Sequence, residues 1–233
     1  MNRAVTNRIN YFLDNWMPPK IRDSRWLMGA AVRLAFGPKY RYFMSFKEKA
    51  VTMQENEING YYDFLADAVI NRKTDLNNGC IRFILDHAIG SSILDAAAGR
   101  GYLAGLLQKK CGGGYIEAID IVIPEKRRKG IHYQKATLTS LPYEDKTFDT
   151  VICTHALEHI KDADLALAEL RRVCRQRLII VVPRQREYRY TFDLHINFFP
   201  YEYSVRRFIN NPQAQVLEIG GDWVCVENMS DKE

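Results

Sequence analysis

The sequence has few of the features that mark a secreted, membrane-spanning or repetitive protein. Its five cysteines lie far apart and include no CxxC pair, which excludes a disulfide framework and a zinc knuckle and favours a reducing, cytoplasmic compartment. Fourteen glycines and eight prolines in 233 residues exclude a collagenous or low-complexity chain. The longest apolar run near the N-terminus, 26–32, ends at Arg33, well short of the about 20 residues that a spanning helix needs. The first ten residues contain no apolar h-region, so we expect no signal peptide.

Charge is distributed unevenly along the chain. Residues 1–50 hold ten lysines and arginines against three acidic residues, a net charge of +7, whereas the whole chain carries only +5. Aromatic residues are interleaved with these cations. The section therefore predicts an anionic partner, and a peripheral contact with a membrane surface is one form of it. A solvated helical face and a helical cap over an active site are the alternatives.

Hydrophobic periodicity changes near residue 91, from irregular helical patterns to short apolar runs that alternate with amphipathic segments. The predicted strands are 91–96, 114–121, 131–135, 148–153 and 178–182, with a terminal hairpin of 215–220 and 223–227. The predicted helices include 55–72, 76–88, 102–109, 162–175 and 201–210. This alternation predicts an α/β, Rossmann-like, mostly parallel sheet with a C-terminal antiparallel hairpin. We expect an N-terminal helical cap over 1–90 and a core domain over 91–233, with an acceptor-site insertion at about 184–212.

The loop after the first predicted strand contains small residues that allow a ligand to lie against the backbone. Gly99 and Gly101 precede the predicted helix, whose first N–H groups have no partner within the helix. The spacing Gly99-x-Gly101-x-x-Ala104 also fits a dinucleotide fingerprint. Two classes of ligand therefore compete for this turn.

Two carboxylates at predicted strand ends help to separate these classes. Asp95 ends the first strand, where its charge would repel a pyrophosphate but attract the ammonium of a ligand that carries an amino acid. Asp120 ends the second strand, where a carboxylate can accept both hydroxyls of a ribose. This pair favours S-adenosylmethionine over NAD as the cofactor. The alternative is that Asp95 only caps the following helix.

Several segments carry a resemblance to a known family. They are 94–101 (LDAAAGRG), 141–152 (LPYEDKTFDTVI), 156–160 (ALEHI), 169–173 (ELRRV) and 181–183 (VVP). In this order and spacing they resemble the class I S-adenosylmethionine-dependent methyltransferases, of the kind known as methyltransferase-11-like. The resemblance covers about residues 91–183 and implies a methyltransferase fold with S-adenosylmethionine as cofactor.

The resemblance also implies further cofactor-binding residues and shows where this chain departs from the family. Ala97 stands where the family usually has glycine, which makes the turn more crowded. Thr137 replaces an acidic residue near the adenine, so we expect that ring to be held by Leu138, by backbone groups or by Thr137 itself. Thr154, just after the fourth strand, is expected near the sulfonium methyl. The short connection between the second and third strands predicts a reduced helix there.

The histidines after the fourth strand admit two interpretations. His155 and His159 match the H-x-x-E-H zinc motif, which would indicate a metallopeptidase. The motif follows a buried strand directly instead of lying within a long helix, so we predict no metal. His155 is instead expected beside the reacting methyl group as a candidate base, and His159 is expected to be structural.

The predicted insertion after the fifth strand carries a second cluster of polar residues. Asp193 and His195 are candidates to deprotonate an acceptor hydroxyl, because histidine titrates near neutrality. The candidate acceptor-binding residues, three cations and an aromatic that suit an anionic group, are Arg184, Arg186, Arg189 and Tyr190. A structured surface loop with solvated arginines is the alternative.

The predicted function is methyl transfer to a small or medium acceptor, with no nucleic acid as partner. Similarity of the stretch 190–200 to saccharide and natural-product methyltransferases favours O-methylation of a saccharide or natural product, lipid-linked or anionic. Two rival functions stay open: an NAD-dependent oxidoreductase, and a non-catalytic, membrane-associated binding protein.

Overall fold

A computed structural model describes residues 11–12, 16–65, 73–190 and 193–229 of the chain. The helices before the sheet are α1 (Pro19–Arg22), α2 (Arg25–Phe36), α3 (Tyr40–Ala50), α4 (Glu55–Leu65) and α5 (Asn78–His87). The remaining elements are β1 (Ser92–Ala96), α6 (Tyr102–Cys111), β2 (Tyr115–Asp120), β3 (His132–Lys135), β4 (Phe148–Thr154), α7 (Ala163–Val173), β5 (Cys174–Pro183), α8 (Glu202–Ile209), β6 (Gln215–Ile219) and β7 (Asp222–Asn228).

These elements divide into two compact units. The first comprises residues 1–72 and 185–200, and the second comprises 73–184 and 201–233. Helix α5 belongs to the second unit because its apolar side is buried in the same core as strands of the sheet. The unit boundary at residue 72 therefore precedes the predicted domain boundary at residue 90, and the predicted domain organisation stays a prediction.

The second unit is built on one seven-stranded sheet with the order β3-β2-β1-β4-β5-β7-β6. The first five strands run parallel, and β7 is antiparallel to both β5 and β6. This arrangement confirms the predicted Rossmann-like, mostly parallel sheet with a C-terminal antiparallel hairpin. Because parallel strands end at the same edge, the carboxyl ends of β3, β2, β1 and β4 are neighbours there.

Strand β5 begins earlier than the predicted residue 178. After the buried Cys174 come three polar residues, two of which bond to Asp149: Arg175 Nε and Gln176 Nε2 lie 2.9 and 2.7 Å from Asp149 Oδ1. Polar residues that bond to one buried carboxylate give no apolar run, so the sequence pattern detected only the buried part of the strand. The connection 121–131, where the sequence predicts a reduced helix, contains no helix at all.

The first unit is a small helical assembly with its own core. That core comprises Val32, Phe43, Phe46, Ala50, Leu65 and Leu194. Leu194 comes from segment 185–200, and its carbonyl oxygen accepts a hydrogen bond from Tyr62 Oη at 2.7 Å. The predicted helix 55–72 is described as far as Leu65; residues 66–72, together with Arg3 and Arg8 of the basic section, lie outside the described residues. Within the described part of the chain, every helix is too short or too polar to cross a bilayer.

Candidate functional site

Asp95 lies at the carboxyl end of β1 and is almost fully buried, with 1% of its surface exposed. Its Oδ2 accepts a hydrogen bond from the backbone N–H of Ala104, in the first turn of α6, at 2.9 Å. Its Oδ1 accepts no hydrogen bond from any residue that the structure describes. Asp95 therefore caps the helix with one oxygen and leaves the other, buried, for a donor outside the protein.

Asp120 completes the carboxylate pair at the end of β2. Its Oδ2 accepts the N–H of Gly99 at 2.8 Å, and its Oδ1 accepts the N–H of Val122 at 3.1 Å. Each carboxylate oxygen has a second lone pair, so Asp120 retains acceptor capacity for hydroxyl groups. The loop after β1 is thus tied directly to the end of β2.

The electrostatics of the pair favour a cationic ligand. Burial and the negative charge of Asp120 together raise the pKa of Asp95 to about 7, against the opposing effect of the hydrogen bond from the Ala104 N–H. Burial also raises the pKa of Asp120, while its backbone hydrogen bonds lower it. An ammonium placed at the open Asp95 oxygen would relieve both the lost hydration and the repulsion between the two acids.

The backbone of the loop leaves space for a ligand. Ala97, Gly99 and Gly101 all have left-handed backbones, with φ of 64°, 53° and 66°. A Cβ added at Gly99 would meet no atom within 4 Å, so open space lies beside this residue. A Cβ at Gly101 would lie 2.3 Å from Tyr133 Oη, which requires glycine at that position. The buried open oxygen of Asp95 and the space at Gly99 fit the amino-acid end of S-adenosylmethionine.

The other predicted cofactor residues follow adjacent strands at the same edge. Thr137 and Leu138 lie just beyond β3, where Thr137 forms an isolated bridge with Ser140 and Leu138 is buried. Thr154 is the last residue of β4, one position beyond the Cys153 that pairs with Ala96 of β1. The predicted cofactor residues therefore follow four neighbouring strands, which the sheet order brings side by side.

His155 is held between two buried carboxylates. Its Nδ1 lies 3.4 Å from Glu158 Oε1, and its Nε2 lies 3.5 Å from Asp222 Oδ2. Burial alone would lower the pKa of His155, but these two carboxylates outweigh it and raise the pKa to about 9. At neutral pH His155 is consequently a cation that neutralises buried acids, a state that disfavours it as a base.

The predicted catalytic residues of the insertion form a chain of hydrogen bonds within the first unit. Gln185 Nε2 donates to Asp193 Oδ2 at 3.3 Å, and Gln185 Oε1 lies 2.6 Å from Nδ1 of the buried His195. Since an amide oxygen only accepts, Nδ1 of His195 carries a proton in this hydrogen bond. Asp193 and His195 are thus linked through Gln185.

The predicted acceptor-binding residues are divided between the units. Arg184 is in the second unit, where its Nη1 lies 2.7 Å from Glu218 Oε1 in an exposed ion pair. Arg186 and Arg189 are exposed residues of the first unit, and the Arg189 guanidinium lies over the ring of the buried Tyr190 at 5.6 Å. The structure therefore does not bring the three arginines together within one unit.

Sequence reasoning missed two residues that organise these clusters. Gln185 is not singled out by the sequence, because a single glutamine has no pattern of its own. Asp222 falls between the two predicted strands of the terminal hairpin, as a turn residue would, although it is 1% exposed and accepts a hydrogen bond from Asn77 Nδ2 at 2.9 Å. Only contacts between distant parts of the chain show either role.

Comparison with known proteins identifies the region that contains the carboxylate pair. Residues 94–182 match the family model described as "Methyltransferase domain". The uncharacterized methyltransferase YcgJ of Bacillus subtilis (strain 168) is 30% identical over 92 residues, which cover 36% of this chain and 36% of that protein. The ubiquinone/menaquinone biosynthesis C-methyltransferase UbiE of Hahella chejuensis (strain KCTC 2396) is 27% identical over 154 residues, 56% of this chain and 60% of that protein.

Among solved structures, the PH0226 protein from Pyrococcus horikoshii OT3 matches with a TM-score of 0.52 and 17% identity. The match covers 84% of this chain and 100% of that one, and at this identity it shows the fold alone. The chain spans between 36% and 60% of the length of the two curated relatives named above.

Proposed function

Because residues 94–182 of this chain form a class I S-adenosylmethionine-dependent methyltransferase domain, we propose that the protein transfers a methyl group from S-adenosylmethionine to a hydroxyl-bearing small or medium acceptor. The observation that carries this proposal is the buried Asp95 oxygen, which has no hydrogen-bond partner among the described residues and lies next to Asp120 and the open backbone at Gly99. A site for a dinucleotide would place a pyrophosphate at this loop, beside the buried negative charge of Asp95.

Under this proposal the protein mainly binds and orients the reactants. Asp95 binds the ammonium of the cofactor, and Asp120 accepts the ribose hydroxyls. Thr137 and Leu138 contact the adenine, and Thr154 lies beside the reacting centre. When bound, S-adenosylmethionine supplies a methyl group on a positively charged sulfur, which an oxygen or carbon nucleophile attacks in line.

We propose His195 as the base for the acceptor. Its Nε2 would accept the proton of the acceptor hydroxyl, which would make that oxygen a better nucleophile toward the methyl group that S-adenosylmethionine would supply. Asp193 acts through Gln185 to keep His195 in the required tautomer and is a positioning residue. Arg186, Arg189 and Tyr190 hold an anionic group of the acceptor. Arg184 is paired with Glu218.

Two kinds of atom, an oxygen and a ring carbon, are candidates to accept the methyl group. The similarity of 190–200 to saccharide and natural-product methyltransferases favours O-methylation. The relatives named as C-methyltransferases of ubiquinone and menaquinone biosynthesis favour a ring carbon instead. Removing a proton from a ring hydroxyl raises the electron density on the oxygen and on the adjacent carbon, so one base serves either outcome. Mass spectrometry and carbon NMR of the product made with labelled methyl donor distinguish them.

Binding of S-adenosylhomocysteine, measured by calorimetry, tests the cofactor assignment. We expect Asp95→Asn and Asp120→Asn each to weaken binding by about tenfold or more, because a hydrogen bond to a charged group contributes about 1.5–3 kcal/mol. Asp86→Asn, an exposed acid of the same unit, is the matched control and should bind as the unaltered protein does. Unchanged binding in both site variants would refute the assignment.

Turnover kinetics test the base. We expect His195→Ala to lower kcat by about 100-fold or more, the usual contribution of a positioned base, without changing the affinity for S-adenosylhomocysteine. Gln185→Leu should shift the pH dependence of kcat, because His195 loses the hydrogen bond that keeps a proton on Nδ1. His132→Ala, an exposed histidine of β3, is the control. A normal kcat in His195→Ala would show that proximity alone suffices.

A further inference from the structure

Helix α2 presents an apolar side to solvent. Trp26 and Leu34 are each 91% exposed, and Leu27 is 47% exposed. Together with the exposed Ala30 and Ala31 they form the outward side of the helix, which we call the α2 apolar face: Trp26, Leu27, Ala30, Ala31 and Leu34. The spacing of four residues from 26 to 30 to 34 keeps these positions on one side of the helix.

The opposite side of α2 already serves the core of the first unit. Met28 and Val32 are buried, with 2% and 0% of their surface exposed. Helix α2 is therefore apolar on both sides, although a surface helix ordinarily presents polar residues to water. A second apolar side on an exposed helix indicates a surface that an apolar phase or a partner covers.

The surroundings of this face are strongly basic. From Ser24 to Lys47, both included, the sequence contains five cations and no acidic residue. Arg33 and Arg41 both lie over the ring of Tyr40, at 5.7 and 5.9 Å from its centroid, and Arg41 Nε lies 3.4 Å from Tyr40 Oη. The hydrogen bond from Arg41 lowers the pKa of Tyr40, and the charges of Arg41, Arg33 and Arg25 lower it further.

We propose that the α2 apolar face inserts into the interfacial region of an anionic lipid bilayer, with Arg25, Arg33 and Arg41 contacting lipid phosphates. Trp26 suits this position because its ring is apolar and its N–H can reach the headgroups. Exposed apolar residues bordered by arginines are the pattern of helices that lie in a membrane surface. This inference does not depend on the acceptor or on methyl transfer.

A bilayer fits the charge of this region better than a second copy of the chain does. In a symmetric dimer the same patch faces itself, so the arginines around Tyr40 would approach their own equivalents. No acidic residue between 24 and 47 is available to balance them. An anionic lipid surface supplies both the apolar phase and the opposite charge.

Flotation of the full-length protein with phosphatidylcholine vesicles, with and without phosphatidylglycerol, tests the proposal. We expect binding to the vesicles that contain phosphatidylglycerol, weaker binding at high salt, and a loss of about tenfold or more in the double variant Trp26→Glu/Leu34→Glu. Both side chains are 91% exposed, so the variant should fold, which its melting temperature checks. Leu165→Glu, a 52% exposed leucine of α7, is the matched control and should bind normally.

Binding of S-adenosylhomocysteine by the same variants separates this proposal from the proposed function, because these substitutions should leave cofactor affinity unchanged. The lipid proposal is wrong if the unaltered protein does not float with the anionic vesicles, or if the double variant binds them equally well. It is also wrong if sedimentation shows that the unaltered protein is a dimer and the double variant a monomer, while the unaltered protein does not bind vesicles.

Discussion

At the scale of single residues, Asp95 combines a structural role with a proposed binding role. One oxygen caps α6 through Ala104, and the other is buried without a partner among the described residues. From the sequence alone, capping and ligand binding are alternative roles for Asp95. The structure shows capping by one oxygen, and the remaining oxygen supports the proposed binding role as well.

This arrangement makes Asp95 unfavourable for the stability of the ligand-free protein. Burial raises its pKa to about 7, so the folded state binds this proton more tightly than the unfolded chain does, and stability falls as the pH rises from 3.8 through 7. Above pH 7 we expect Asp95→Asn to melt at a higher temperature than the unaltered protein. The difference between the two melting temperatures should shrink as the pH falls toward 3.8. Asp86→Asn serves as the control in thermal unfolding. An Asp95→Asn protein that melts lower than the unaltered one above pH 7 would contradict this account.

At the scale of secondary-structure elements, a buried polar cluster joins three chain segments of the second unit. His155 follows β4, Glu158 lies in the 3₁₀ turn after it, and Asp222 begins β7. Asn77 caps α5 through Cys80 N at 2.9 Å and also donates to Asp222. The cluster ties the loop after β4 to the turn of the terminal hairpin, which holds the end of β4 in place.

Removing the charge of His155 should therefore destabilise the protein. We expect His155→Asn to lower the free energy of unfolding by about 3 kcal/mol or more at neutral pH, because two buried carboxylates lose their cation. Asparagine tolerates the left-handed backbone found there, φ 50°, so the loss reports on charge. His155 stabilises the native state below its usual pKa of 6.5, and this contribution disappears as the pH rises through about 9.

Urea unfolding between pH 6.5 and about 9 measures how the stability of the protein changes with pH. The stability of His155→Asn should depend less on pH than that of the unaltered protein does. The same measurement with His132→Asn gives the control, since His132 is exposed. Normal stability combined with lost turnover in His155→Asn would instead support the sequence-based hypothesis that His155 is a catalytic base.

At the scale of the whole molecule, ligand binding and stability are linked. A ligand that binds only the folded state raises its stability by about 2.7 kcal/mol at 100 times its dissociation constant. We expect S-adenosylhomocysteine to raise the melting temperature and NAD to leave it unchanged. Asp120→Asn should reduce the shift. A shift with NAD alone would favour the oxidoreductase alternative, and a shift with neither ligand would favour a binding protein without catalytic activity.

The positions of the predicted cofactor residues could be inferred because they depend on the order of strands and helices along the chain. Asp95 and Asp120 end consecutive strands, and parallel strands bring their carboxyl ends to one edge, so the pattern of strands and helices was sufficient to place them together. The environment of His155 could not be predicted in this way. Its pKa depends on Asp222, 67 positions along the chain, through a contact that no periodicity encodes.

The order of residues along the chain is enough to predict the Rossmann-like fold, the methyltransferase resemblance and the carboxylate pair, because periodic apolar residues and short motifs act over neighbouring positions. Contacts in the folded protein are needed to show which oxygen of Asp95 is open, that His155 is held between acids, and that Gln185 links Asp193 to His195. These features depend on burial and on distances between remote segments, and electrostatic interactions are set by those two quantities and not by order along the chain.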